Sequence, residues 1–315
     1  MVRIFGILTG LFFALALLWS FINGAITFAD EGIPATAEHE FHKHPKELAL
    51  ASDGPFGKFD RQQVQRGFQV YKEVCSACHS LSHVAFHDLA QLGYSDAEVK
   101  AIANQWQIEV PSTNPETGEP ATRKALTSDR FPSPYANEIA ARAANNNALP
   151  PDLSLMTKAR HDGAAYVYSL LTGYRNQQGY KNSKGEELLR EFPATKTPNG
   201  LHFNPYFANL NIAMPPPLTT NGQVTYAAGN PAPTVDQMAK DVAAFLVWTA
   251  EPKLEARHAT GLAVTIFLAL ATLLGFFAYR NIWATEKRKV RVTGALDPAN
   301  QAKSARAKGQ EGVAG

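Results

Sequence analysis

Cysteine is nearly absent from this 315-residue chain: it has two, enough for one bridge at most and far from a disulfide framework. Net charge is almost absent too. Thirty Lys and Arg against 28 Asp and Glu leave +2, which excludes a basic nucleic-acid binder. Strand-like alternation of apolar and polar residues is also scarce, so a β-sandwich or barrel is not expected. Apolar material is not lacking, since 45% hydrophobic residues exclude disorder throughout. There is no internal repeat, and at roughly 100 to 200 residues per domain the length allows one or two domains.

The small net charge hides a separation. Residues 280–315 carry eight Lys/Arg against three Asp/Glu, while residues 30–258 carry 21 against 25, a net of −4. Between them Ala259 to Tyr279 has no charge over 21 residues. At 1.5 Å rise per residue this run reaches about 31 Å, the thickness of a bilayer's hydrocarbon core. It is read as a transmembrane helix in preference to a buried core helix. Arg280, Lys287, Arg288, Lys289 and Arg291 follow, a positive flank that belongs on the cytoplasmic side, with Tyr279 and Trp283 suited to the interface. The acidic body is therefore expected outside the cytoplasm.

At the N-terminus Arg3 precedes the apolar stretch Ile4 to Ile22, the pattern of a secretory signal or of a retained second anchor. Thr27-Phe28-Ala29 and, further on, Ala35-Thr36-Ala37 are the available cleavage triplets. Either outcome exports the body. The expected division is 1–29 signal or anchor, 30–258 exported domain, 259–279 membrane helix and 280–315 basic tail, disordered from Gly294. The tail's charge reads first as a topology signal and secondarily as a contact for anionic lipid headgroups.

Capping chemistry marks the helices of the body. Asp60 with Gln63 opens one whose apolar positions Val64, Phe68 and Tyr71 share a face leading into Cys75. Ser95 with Glu98 opens another, carrying Val99, Ile102 and Trp106. Ser133-Pro134 is a start for a third, and Ala164 to Thr172 reads as a fourth. Thr234 with Gln237 starts the last, with Met238, Val242, Phe245 and Trp248 along one side. Two long stretches punctuated by Pro and Gly, about Pro111 to Pro134 and Phe192 to Pro233, lie between them, and loops of that length are usually functional or disordered.

The two cysteines stand in Cys75-Ser76-Ala77-Cys78-His79, the C-x-x-C-H signature of c-type haem attachment. On one helical turn the thiols can reach the two vinyl groups of one porphyrin, with the imidazole under the iron. A thioredoxin-like pair wants a βαβ context, and a structural zinc site wants four Cys/His ligands. Neither is visible here. A sixth ligand from Met would make a six-coordinate electron-transfer centre. Met156, Met214 and Met238 are the candidates. Met238 lies on an apolar helix face and Met156 near a helix start, both suited to packing. Met214 precedes Pro215-Pro216-Pro217, which stiffen the backbone, and is favoured, with Met156 the remaining alternative.

With these pieces in place the chain resembles the cytochrome c1 family, the haem subunits of bacterial cytochrome bc1 complexes, over most of residues 40–290. The resemblance rests on Gly54-Pro55-Phe56-Gly57, Gln65-Arg66-Gly67-Phe68-Gln69-Val70-Tyr71, Ala144-Asn145-Asn146, Ala148-Leu149-Pro150-Pro151-Asp152-Leu153-Ser154, Leu170-Leu171-Thr172-Gly173-Tyr174, Asn204-Pro205-Tyr206-Phe207 and Ala213-Met214-Pro215-Pro216-Pro217-Leu218. It implies a mainly α fold, a class I cytochrome c-like haem domain with long loop insertions and one C-terminal transmembrane helix. It implies one haem c held through Cys75 and Cys78, with His79 and Met214 as iron ligands. Arg160 is implied to lie near a haem propionate, where a guanidinium can pair with a carboxylate, and Tyr166 near the haem.

The implied role is relay of single electrons from a Rieske iron–sulfur protein to a soluble or membrane-tethered periplasmic cytochrome c, in a complex with cytochrome b. As a departure, Asn147 stands where the family usually has Gly after the Asn pair, and Asn tolerates left-handed backbone angles. His42, His44, His83, His87, His161 and His202 lack metal-cluster spacing and read as surface or structural residues. Two competing functions remain, a free-standing membrane-anchored haem shuttle and a thiol oxidoreductase using Cys75 and Cys78.

Overall fold

The structure is a computed structural model that describes residues 2–32, 36–289 and 298–303. Its residues fall into two compact units, one formed up to Gly54 together with Lys58–Pro252, the other by Pro55–Gly57 with the residues from Lys253 onward.

The first unit opens with helix α1, Val2–Glu31, whose apolar side chains are exposed on every face. Helix α2, Ala37–Phe41, follows, capped by Thr36, whose hydroxyl accepts from the His39 amide. Helix α3, Arg61–Glu73, starts as its sequence demands: Asp60 Oδ1 accepts from the Gln63 amide at 3.1 Å, a cap worth ~1 kcal/mol. It buries Val64, Phe68 and Tyr71, and with them Arg66 and Gly67. Helix α4, Asp96–Asn104, begins in the Ser95/Glu98 capping box.

The first long stretch contains a hairpin of β1, Val110–Thr113, and antiparallel β2, Pro120–Arg123, in the register Val110 to Arg123. Four residues per strand are too few for alternation to stand out in the sequence. Helix α5, Glu138–Ala144, starts later than Ser133-Pro134: the Ser133 hydroxyl accepts only from Tyr135, and Asn137 Oδ1 accepts from Ala140 to cap the helix. Helices α6, Met156–Ala159, α7, Gly163–Leu171, and α8, Leu188–Glu191, follow. Strands β3, His202–Phe203, and β4, Asn211–Ile212, make a second hairpin. Helix α9, Val235–Ala250, is capped by Thr234 on Gln237 and buries Met238, Val242, Phe245 and Trp248.

Packing is organised by the crossing of α3 and α9. At Gly67 a Cβ would sit 2.0 Å from the Asp241 carbonyl oxygen, so only glycine lets the backbones approach. Beside it Arg66 grips buried Asp241 with two hydrogen bonds, Nε to Oδ2 at 2.9 Å and Nη2 to Oδ1 at 3.2 Å. Phe68, Tyr71, Phe131 and Phe245 stack edge to face and tilted across the same seam. A smaller cluster of Ala37, Phe41, Leu188, Phe203 and Leu210 joins α2 to α8 and the second hairpin.

The second unit is dominated by α10, Leu254–Lys289, which contains the expected 259–279 span and continues through the basic flank as far as Lys289. By length and composition both α1 and α10 are fit to cross a membrane, with mean hydropathy 2.2 over Val2–Asp30 and 2.3 over Leu254–Ala284. The C-terminal span thus has an N-terminal counterpart. Of the tail from Gly294, residues 298–303 are helical. Arg291 and the rest of that expected disordered segment lie outside the described residues.

Candidate functional site

The α-helical geometry of α3 stops at Val74, and the motif itself is a 3-10 turn, Cys75–Ala77. The expected single helical turn is thus of the 3-10 kind. The tighter turn arises because the Cys75 carbonyl accepts from both Cys78 N, at 3.1 Å, and His79 N, at 3.0 Å. Both thiols and the imidazole therefore issue from five consecutive residues closed around one carbonyl.

His79 is then fixed by a partner 72 residues away: its Nδ1 lies 2.8 Å from the Pro151 carbonyl oxygen. A carbonyl only accepts, so Nδ1 carries the proton and Nε2 keeps its lone pair. Burial pushes the imidazole's pKa below its ordinary value, against the opposing pull of the Pro151 bond and of Asp152. The ring is thereby favoured in its neutral form. Buried Tyr71 donates from its hydroxyl to the His79 carbonyl at 3.0 Å.

The segments 79–83 and 151–154 are stapled together by Asp152. Its Oδ2 accepts from Ser80 Oγ and Ser82 N, both at 2.8 Å, and its Oδ1 from Ser154 N at 2.8 Å, while Leu153 N donates to Ser80 O at 2.9 Å. Burial alone would raise this carboxyl's pKa, but the hydrogen bonds from Ser154, Ser82 and Ser80 outweigh it and hold it below its ordinary value. On the other cysteine, the Tyr135 hydroxyl meets the Cys78 side chain and accepts from Asn145 Nδ2 at 2.9 Å. Asn146 and Asn147 follow with φ of 51° and 62°, so the left-handed turn is kept with Asn147 in place of glycine.

Burial pushes the Cys75 thiol up to about 12, with Cys78 adding to the effect. Reactive thiols sit in the opposite kind of environment, one that lowers the pKa. Cys75 is thus poorly suited to thiol exchange.

Met156 and Met238 belong to the main core. Met214 is half-buried and lies outside that core, just after β4. Its carbonyl accepts from the Tyr174 hydroxyl at 3.0 Å. Burial raises the pKa of Tyr174, with Tyr166 adding, and raises that of Tyr166, with Arg160 beside it pulling the other way. Tyr174 is thus bonded to the Met214 backbone, with Tyr166 close enough to Tyr174, and Arg160 to Tyr166, for their charges to interact. Arg160 is exposed at the end of α6.

Of the six residues singled out for the cofactor, Cys75, Cys78 and His79 share one turn with tightly held neighbours, while Met214, with Tyr174 on its carbonyl, and Tyr166 with Arg160 lie elsewhere along the chain. The sequence marks Tyr71 only as an apolar helix position and assigns no role to Pro151, Asp152 or Tyr174. Each lies inside a quoted motif, but a carbonyl or a hydroxyl partner leaves no periodic signal. As a donor set, two thiols on one turn, a neutral imidazole with a free Nε2 and a thioether outside the core fit a c-type haem. Among the described residues no three His, Cys, Asp or Glu gather as a separate metal site.

A family model described as "Cytochrome C1 family" matches residues 50–286. "Cytochrome c1 1, heme protein, mitochondrial" from Arabidopsis thaliana is 42% identical over 287 residues, covering 91% of this chain and 86% of the relative. "Cytochrome b/c1" from Bradyrhizobium diazoefficiens is 45% identical over 239 residues, 73% of this chain and 34% of the relative. "Cytochrome b-c1 complex catalytic subunit, mitochondrial" from Candida albicans is 40% identical over 254 residues, 80% of this chain and 81% of the relative.

Proposed function

This chain belongs to the cytochrome c1 family, and from that premise we propose that it is a relay for single electrons, taking them from a Rieske iron–sulfur protein and delivering them to a periplasmic cytochrome c. It serves as the cytochrome c1 of a cytochrome bc1 complex, and the oxidoreductase activity belongs to that complex. Cytochrome b is its partner there, in keeping with a relative whose name joins b and c1.

The observation that carries the reading is the 3-10 turn of Cys75, Cys78 and His79 with the Pro151 carbonyl on the imidazole. Cys75 and Cys78 would hold one haem c covalently, and His79 Nε2 and the Met214 thioether would ligate its iron. When bound, haem c supplies a one-electron couple, whose potential Met raises. Pro151 fixes the imidazole tautomer and ring angle from behind. Arg160, with Tyr166 near it, would pair with a propionate. No general base or nucleophile is required.

Residues 30–258 form the periplasmic haem domain of this proposal, a class I cytochrome c-like body with long insertions. It is anchored by α10, with the basic flank on the cytoplasmic side. α1 serves as export signal or second anchor. The net −4 of residues 30–258 would steer a basic cytochrome c and loosen it with salt, so capture slows as ionic strength rises; a salt-independent rate rejects the steering.

Denaturing electrophoresis with a haem peroxidase stain tests the core of the proposal. A stained band of this chain is expected, and free titratable thiols without stain overturn it in favour of thiol exchange. Purification in mild detergent tests the assembly. Co-isolation with cytochrome b and the Rieske protein is expected, whereas a solitary haemoprotein supports a free-standing shuttle.

A further inference from the structure

Leu210 carries a positive φ of 64° without being glycine. A branched side chain in the left-handed region is strained and persists only where its surroundings hold it. It closes the β3–β4 hairpin, with Asn204 N donating to its carbonyl at 2.8 Å and its own amide donating to Phe207 O at 2.9 Å. Two residues of β4 and Ala213 then lead to Met214. The backbone angle at Leu210 therefore aims the segment that presents the thioether.

The leucine side chain is held from the far end of the sequence. It is 1% exposed, in the cluster with Phe41, Ala37, Leu188 and Phe203. Phe41 is the centre of that cluster: its ring meets Phe192 edge to face at 6.0 Å and Tyr180 at 6.4 Å, and Tyr180 in turn meets Phe203 of β3 at 4.9 Å. One cap orders α2 and two polar ties seat it there. Thr36 caps it, Glu40 pairs with Lys184, and Lys43 N donates to Pro205 O at 2.8 Å. Apart from these ties α2 is five residues long, too short to be stable by itself.

We propose that Phe41 is a positioning residue for Met214: α2 completes the cluster that keeps Leu210 in its strained conformation, and so holds the thioether in ligating position. The inference rests on the assignment of Met214 as axial ligand. It makes the segment just after α1 a determinant of redox behaviour, although nothing in residues 36–43 is expected to touch the cofactor.

The test uses the full-length holoprotein with Phe41→Ala, Phe41→Leu and Met214→Leu in parallel. Carbon monoxide binding to the reduced form reports a vacated axial position, and the midpoint potential reports loss of sulfur. Phe41→Ala is expected to retain covalent haem, to bind carbon monoxide in at least a tenfold larger fraction than the parent, and to fall in potential. Phe41→Leu is expected to return both toward the parent. Hydrogen exchange of the amides of residues 202–213 should accelerate more than that of α9.

A folded Phe41→Ala protein with parental potential, no carbon monoxide binding and unchanged exchange overturns the proposal. Should Phe41→Ala not accumulate, Thr36→Ala, which removes only the cap, decides by the same readouts: at least a twofold rise in carbon monoxide binding is expected, and none overturns it. Met214→Leu separates the layers. If it leaves spectrum and potential unchanged, the ligand assignment fails; if it shifts both while Phe41→Ala shifts neither, the positioning role fails.

Discussion

The turn bearing Cys75, Cys78 and His79 is fastened by a carboxylate, two carbonyls and a tyrosine hydroxyl, all in the main body of the fold. Met214, whose carbonyl accepts from the Tyr174 hydroxyl, follows a short hairpin held by polar bonds of Lys43 N, Asn204 Nδ2 and Thr197 Oγ1 and by a small apolar cluster reaching back to α2. The first arrangement is directional and redundant, and loss of one bond leaves the others. The second rests more on packing, and one of its residues, Leu210, has a strained backbone angle. The cysteine–histidine side of the site should therefore withstand perturbation better than the thioether side.

The largest expected effect is on the weaker side. Met214→Leu should keep covalent haem yet lose a substantial part of the roughly 0.8 V range that axial ligands span, read by redox titration. An unchanged potential would transfer the role to Met156. On the stronger side, Asp241→Ala strands the Arg66 charge at the α3–α9 crossing. It should cost ~3–5 kcal/mol in denaturant unfolding, and a loss below 1 kcal/mol would mean that the crossing does not depend on the pair.

Asp152 gives the comparison a pH axis. Its folded pKa lies below its ordinary value, so its hydrogen bonds contribute stability that is complete above the unfolded value and lost as pH falls toward the folded one. Asp152→Asn should flatten the fall in urea midpoint between about pH 5 and pH 3; a curve as steep as the parent's would remove Asp152 from the account.

At the α2 end, a cut after Ala37 would discard the Thr36 cap, worth ~1 kcal/mol, and the burial of Ala37. Any processing should fall after Thr27-Phe28-Ala29, and an intact mass beginning at Glu38 would contradict this. The smallest effect is expected at Asn147, where Asn already accepts φ 62°. Asn147→Gly should change stability by no more than about 0.5 kcal/mol, read as the midpoint of thermal unfolding.

Much of the frame could be read without coordinates. Asp60, Ser95 and Thr234 cap the helices they were expected to cap, and the faces of α3 and α9 are those their periodicity marks, because both signals operate within a turn or two of chain. The start of α5 was misjudged because Ser133 and Asn137 offer the same capping chemistry, and only the fold chooses between them. The β1–β2 hairpin escaped notice for want of length. Arg66 and Gly67 were legible as part of a motif, but their reason, a close crossing with Asp241, lies 175 residues away.

By itself, then, the sequence determined the chemistry that is local along the chain: two thiols and an imidazole within five residues, apolar runs long enough for a bilayer, and the caps that begin the helices. The tertiary structure decided what depends on partners far apart in sequence. It placed the Pro151 carbonyl on His79 and so chose the tautomer, took Met156 and Met238 into the core while leaving Met214 outside it, and brought Phe41 to the hairpin. Hydrogen bonds and periodicity within a turn are written in neighbouring residues, whereas a contact across 70 or 170 positions exists only once the chain has packed.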